Sequence, residues 1–194
     1  MIRVLVVDDH PAMQAGLTAV LRTEPGFVPV GAVETEFELW PALTRTRPDV
    51  VLLDYHLPPS DGLALCRRIK RTLPPPAVLL FSAYADANLA IAARLAGADG
   101  LVNKGAAATE LHDAIRTVAK GRPVMPAVDR ELLAAAGERL PDEDLPILGM
   151  ALDGTPHSEI AQTLRLDGEE LGARLDRMIE RLKVEVPNGE TSGR

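Results

Sequence analysis

The chain has 194 residues, 46% apolar and 25% charged, with a formal net charge of −7 and mean hydropathy near zero, which suits a soluble globular protein with one ordinary domain and one small one. No apolar stretch approaches the roughly 18 residues that a membrane span requires, and MIRVLVVDDH does not read as a signal peptide because its apolar run ends in two aspartates. The single cysteine, Cys66, excludes an intramolecular disulfide framework and points to a reducing, cytoplasmic setting.

The first 120 residues alternate in type. β-Branched apolar runs at Ile2–Val7, Val28–Val33, Val50–Leu53, Ala77–Phe81 and Leu101–Asn103 predict strands. Stripes with helical spacing lie between and after them: Leu17, Val20, Leu21; Phe37, Trp40, Leu43; Leu63, Leu65, Cys66, Ile69; Leu89, Ala92, Ala93, Ala96; and Leu111, Ala114, Ile115, Val118. Five strands alternating with five helices predict right-handed crossovers and an α/β fold, a five-stranded parallel doubly wound sheet of the flavodoxin-like kind. Gly121, Pro123 and Pro126 end the fifth helix, and residues 121–139 read as a linker that becomes helical from 127. From Pro141 three short helices are expected, Asp142–Leu152, Pro156–Leu164 and Gly168–Lys183, with Thr155 and Asp167 as N-caps and Pro146 shortening the first. Residues 187–194 are polar, lack periodicity and read as a flexible tail.

Asp8 and Asp9, Asp54, Ser82 and Lys104 each stand at or just after the end of a strand. Ligands in open α/β sheets bind beyond the carboxyl ends of the strands, so these side chains are expected in one pocket. Three carboxylates there repel one another, and Mg2+ relieves this because it takes oxygen ligands and retains waters. The same ion would neutralise charge on a transferring phosphoryl group. Asp54 then becomes a nucleophile that forms an aspartyl-phosphate. Ser82 could donate to a phosphate oxygen, and Lys104 could pair with another. A lone Asp-Asp pair after a strand is usually a solvated turn; four strand ends carrying the required types in order are much harder to reach by coincidence.

The stretches VLVVDDHP, PDVVLLDYHLPPSDGL, LLFSA and AGADGLVNK resemble the receiver domain of two-component response regulators, in the branch that carries a LuxR-type (NarL/FixJ-like) helix-turn-helix. The resemblance covers residues 1–120. It implies phosphorylation of Asp54 by a histidine kinase, direct Mg2+ ligation by Asp9 and Asp54, a water-mediated role for Asp8, and a backbone carbonyl ligand from His56. It implies that Ser82 and Lys104 sense the phosphate and that His56 and Tyr84 tune its lifetime. Leu101 stands where the family often has a switch aromatic, and Gly105 follows the lysine where proline is more usual, which clouds how the signal is passed on.

Residues 140–186 resemble the LuxR-type helix-turn-helix, with Glu159-Ile160-Ala161 and Leu164 as the best-matched stretch. Leu171, Leu175, Met178, Ile179 and Leu182 form the buried stripe of the third helix. Glu169, Gly172, Ala173, Asp176 and Glu180 project away from that stripe, where the family reads the major groove. Arg174, Arg177 and Arg181 make a separate edge, free to meet a DNA backbone or a protein partner. Residues 140–194 hold 12 acidic against 6 basic residues, so the presumed DNA-binding unit carries most of the negative charge. That is the wrong sign for counter-ion release.

Two functions are therefore expected. The first is a transcription factor controlled by phosphorylation, as a homodimer on DNA. The second is a response regulator whose acidic helix-turn-helix has become a protein-interaction or dimerisation module. A stand-alone enzyme is disfavoured, because His56 stands two residues after Asp54 where a second catalytic acid would be needed; at most slow self-dephosphorylation is expected.

Overall fold

The computed structural model describes residues 1–183; the expected tail and the last three residues of the expected C-terminal domain lie outside them. The first 120 residues form a parallel sheet of β1 (Ile2–Val7), β2 (Phe27–Val33), β3 (Val50–Asp54), β6 (Ala77–Ser82) and β7 (Gly100–Asn103) in the order β2-β1-β3-β6-β7. A two-residue-per-strand hairpin, β4 (His56–Leu57) and β5 (Ser60–Asp61), follows β3 and was not foreseen. Helices α1 (Pro11–Thr23), α2 (Glu36–Thr46), α3 (Gly62–Lys70), α4 (Ala87–Leu95) and α5 (Ala108–Val118) supply the crossovers. The central strands are buried on both faces, which is why Val50–Leu53 and Val78–Phe81 are continuous apolar runs rather than alternating ones. One face of the sheet packs against α1 and α5 through Leu17, Leu21, Leu111, Ile115 and Val118.

The other face belongs to a larger cluster that continues into the C-terminal helices. Here lie α6 (Arg130–Glu138), a 3-10 turn (Asp142–Asp144), α7 (Leu145–Leu152), α8 (His157–Leu164) and α9 (Gly168–Leu182). Pro146 falls in the first turn of α7, where its missing N–H costs nothing, so the first expected helix is split at that point. Asp167 caps α9 by accepting from Glu170 N at 2.7 Å, as expected. The expected cap at Thr155 is displaced by one residue: Pro156 occupies the cap position and α8 begins at His157. The linker is irregular through 121–129, and Val124 joins the β7 edge, exchanging backbone bonds with Asp99 and Leu101. Asp129 then caps α6 by accepting from Leu132 N at 2.8 Å.

α4 lies between the sheet and the C-terminal helices. Leu89, Ala90, Ile91, Ala92, Ala93 and Leu95 are all buried, because one side of the helix covers the sheet and the other receives α7 and α9. Each large apolar side chain withdrawn from water in this way stabilises by about 1.5–3 kcal/mol. Leu171, Leu175, Met178, Ile179 and Leu182 of α9 thus join one continuous core with the receiver-like half.

Candidate functional site

Parallel register gathers the strand ends. Val7 pairs with Leu53, Asp54 with Phe81, and Ser82 with Asn103, so the residues just past these pairs stand along one edge of the sheet. Asp8 and Asp54 are almost fully buried, as is Ser82. Lys104 Nζ donates to Asp54 Oδ2 at 2.6 Å and to Asp8 Oδ2 at 2.9 Å. Asp54 Oδ1 accepts from His56 N at 3.0 Å, and Asp8 Oδ1 accepts from His10 N at 2.9 Å. Ser82 Oγ accepts from Tyr84 N at 3.1 Å. Tyr84 itself is exposed, and Leu101 is buried in the core with no polar group to offer the pocket.

Electrostatics sharpen the picture. Burial raises the Asp54 carboxyl above the usual carboxylate range, against the hydrogen bonds from Lys104 and His56 N that favour its ionised form. Burial also works against the Lys104 ammonium, but its bonds to Asp54 and Asp8 outweigh this and the net shift is upward. Three carboxylates face one ammonium, so the pocket retains excess negative charge.

The residues present fit a hard divalent cation. Ligand atoms from Asp8, Asp9, His10 and Asp54 all lie within 4.8 Å of one another. Asp9 Oδ1 is buried and accepts no hydrogen bond, although His10 Nδ1 is 2.6 Å away. A buried carboxylate oxygen that faces only an imidazole nitrogen and lies beside two buried carboxylates is a site that a cation would satisfy. His10 was not anticipated; its place directly after the aspartate pair was the available signal.

The face of α9 that was expected to meet DNA or a partner is divided. Glu169 and Ala173 are exposed. Gly172 and Asp176 instead meet α3: Arg67 Nη2 donates to the Gly172 carbonyl at 2.9 Å, and Arg67 Nε lies 2.7 Å from Asp176 Oδ1. A Cβ on residue 172 would sit 3.5 Å from Arg67 Nη2, so alanine fits but a longer side chain would compete with the guanidinium. Arg174 does not stand free with the other arginines. Its Nε donates to buried Asp144 at 2.6 Å and its Nη2 to the Glu143 carbonyl, tying α9 to the start of its own helical unit. Arg177 and Arg181 remain exposed.

Residues 4–116 match the response regulator receiver domain family. The chain belongs to that family: it is a two-component response regulator, with an α/β receiver followed by a helical C-terminal unit. It is 29% identical to the DNA-binding transcriptional activator DevR/DosR of Mycobacterium tuberculosis over 95% of this chain and 90% of that protein. It is 28% identical to the transcriptional regulatory protein LiaR of Bacillus subtilis over 95% and 92%. Among solved structures, a LuxR-family two-component response regulator from Aurantimonas sp. SI85-9A1 matches with 29% identity and a TM-score of 0.61, covering 72% of this chain and 98% of that one. The two curated relatives span both halves, so the likeness includes the C-terminal helices.

Proposed function

We propose that the protein is a phosphorylation-controlled transcription regulator whose receiver accepts a phosphoryl group on Asp54. The observation that carries this reading is the contact of Lys104 with both Asp54 and Asp8, which builds one pocket from three separate strand ends. Asp54 attacks the phosphorus of a phosphohistidine on a histidine kinase. The new P–O bond forms as the P–N bond breaks, and the electron pair leaves with the imidazole. Asp9 and Asp54, with the His56 backbone carbonyl, would hold Mg2+, and Asp8 would act through a bound water. That ion supplies neutralisation of charge on the phosphoryl oxygens. Lys104 shifts from carboxylate to phosphate, and Ser82 exchanges its bond from Tyr84 N for one to a phosphate oxygen. The protein is cytoplasmic, homodimeric and without enzymatic turnover beyond slow self-dephosphorylation; no helix among the described residues is long and apolar enough to cross a membrane.

The C-terminal helices would contact DNA; of the two curated relatives, DevR/DosR is described as DNA-binding and LiaR as a transcriptional regulatory protein. The charge of α9 favours a second reading, in which this unit binds protein instead: Glu169, Asp176 and Glu180 are exposed carboxylates on the helix that would enter the groove. A gel-shift titrated with salt separates the two. A DNA reader retains a promoter fragment at low salt and releases it steeply as salt rises. Absence of any shift at low salt, with phosphorylated and unphosphorylated protein, contradicts the first reading.

A further inference from the structure

A groove of about 910 Å3 opens beneath the starts of β3, β6 and β7, at the opposite end of the sheet from Asp54. Its walls include Trp40 and Leu43 from α2, Pro48 before β3, Pro76 before β6 and Val118 at the end of α5. Among the described residues none beyond 121 lines it, because the C-terminal helices dock on α4 and α3 instead. Trp40 is half-buried, and the Arg68 guanidinium carbon sits 4.7 Å from its ring centroid, which holds the indole in place. Pro48, Pro74, Pro75 and Pro76 fix the backbone around the opening, so little ordering is needed before something enters it.

Leu73 stands on the rim. It is 95% exposed, more than any other large apolar side chain among the described residues, and Pro74 and Pro75 beside it are exposed as well. A two-fold contact sets one patch against itself, so it requires an apolar prong and an apolar groove on the same face. The rim charges are self-complementary too. Arg47 is exposed, and its side chain forms no ion pair or hydrogen bond among the described residues. Asp49 is exposed and gives Oδ2 to Arg3 N at 2.7 Å, which leaves Oδ1 for a partner. Asp99, further in, is already engaged by Lys70 Nζ at 2.8 Å and Val78 N at 2.7 Å, so it adds no unpaired charge.

We propose that this face is the homodimer interface: Leu73 of each copy enters the groove of the other beside Trp40, and Arg47 of each pairs with Asp49 of the other across the two-fold axis. The contact presupposes the homodimer proposed above and gives it a surface. It places the two Asp54 pockets at the outer ends of the dimer, open to a kinase. It also leaves dimerisation independent of whether either pocket is filled, because the groove and the pocket lie at opposite ends of the strands.

Sedimentation velocity of the full-length chain over a concentration series measures the dimer constant, and Trp40, the only tryptophan, reports from the groove on the same samples. Wild type should dimerise, its Trp40 emission should move to the blue as concentration rises, and beryllofluoride with Mg2+ should leave the constant unchanged. Leu73→Asp changes a side chain too exposed to matter for folding. It should raise the dissociation constant at least roughly thirtyfold, as loss of an interface anchor does, and keep the monomer's emission. Arg47→Glu sets like charges against Asp49 and should raise it roughly fivefold. A wild-type dimer that Leu73→Asp or Arg47→Glu leaves unchanged, that forms only with the mimic, or that assembles without moving Trp40 emission overturns this interface while leaving the homodimer standing. A wild type that stays monomeric with and without the mimic overturns the homodimer and the interface with it.

Discussion

Arg67 Nε on α3 and Asp176 Oδ1 on α9 stand 2.7 Å apart, joining the receiver to the helix that would otherwise face a partner. Arg67 is buried while Asp176 is largely exposed, so the two ends of this pair differ in consequence. Asp176→Ala leaves a buried guanidinium with the Gly172 carbonyl as its remaining acceptor. That should cost about 1–3 kcal/mol in urea unfolding. Adding Arg67→Met removes the stranded charge, so the double variant should recover part of the loss. Strictly additive losses would show that the pair contributes no coupling.

Lys104 is the counter-cation of two buried carboxylates. Lys104→Met should lower stability by about 3–5 kcal/mol in metal-free buffer, the usual effect of stranding a buried charge. Mg2+ should restore much of this, because it neutralises the same oxygens. Melting curves with and without Mg2+ check the point; a variant as stable as wild type without metal would contradict the pocket electrostatics.

Gly62 has ordinary backbone angles, so its requirement is one of space. Gly62→Ala drives a methyl into the Asp54 and Tyr55 carbonyls. The backbone beside the pocket must move, at a cost of about 1–3 kcal/mol or more. Acetyl phosphate labelling should also slow. Unchanged stability and labelling would mean that this junction is looser than the contacts indicate.

His157 begins α8 at the edge of the receiver, where a Cβ on Gly97 would lie 3.2 Å from its Cε1. Burial, followed by the cationic Arg67 and Lys70 of α3, lowers its pKa to about 4, against a bond to the Leu95 backbone of α4. The folded protein holds the imidazole neutral, whereas the unfolded chain takes up a proton near pH 6.5. Its contribution to stability is therefore complete above about pH 6.5 and is lost as pH falls towards 4. Urea midpoints across that window should fall less steeply in His157→Gln than in wild type. Equal slopes would contradict the assignment.

The receiver half was legible because strands buried on both faces are spelled as unbroken β-branched runs, and because Asp8, Asp54, Ser82 and Lys104 each close such a run. The contacts between the halves were less so. Asp176 and Gly172 looked anomalous on a helix meant for DNA, since sequence spacing defines a face but not what lies against it. Arg67, which accounts for their contact with α3, stands on a distant helix and reads as an ordinary surface residue. One signal was available: NLAIAARL is apolar around its whole circumference, and a helix of that kind is covered on both sides. Reading it as a single stripe concealed the docking of α7 and α9.

The central claim is a single Mg2+-dependent pocket in which Asp54 accepts the phosphoryl group. Its most direct test is mass spectrometry of the protein after incubation with acetyl phosphate, with site mapping, in the presence and absence of Mg2+. One phosphoryl group on Asp54, gained only with Mg2+ and absent from Asp54→Asn, is the predicted result. Equal labelling of Asp54→Asn, or labelling that ignores Mg2+, would contradict it.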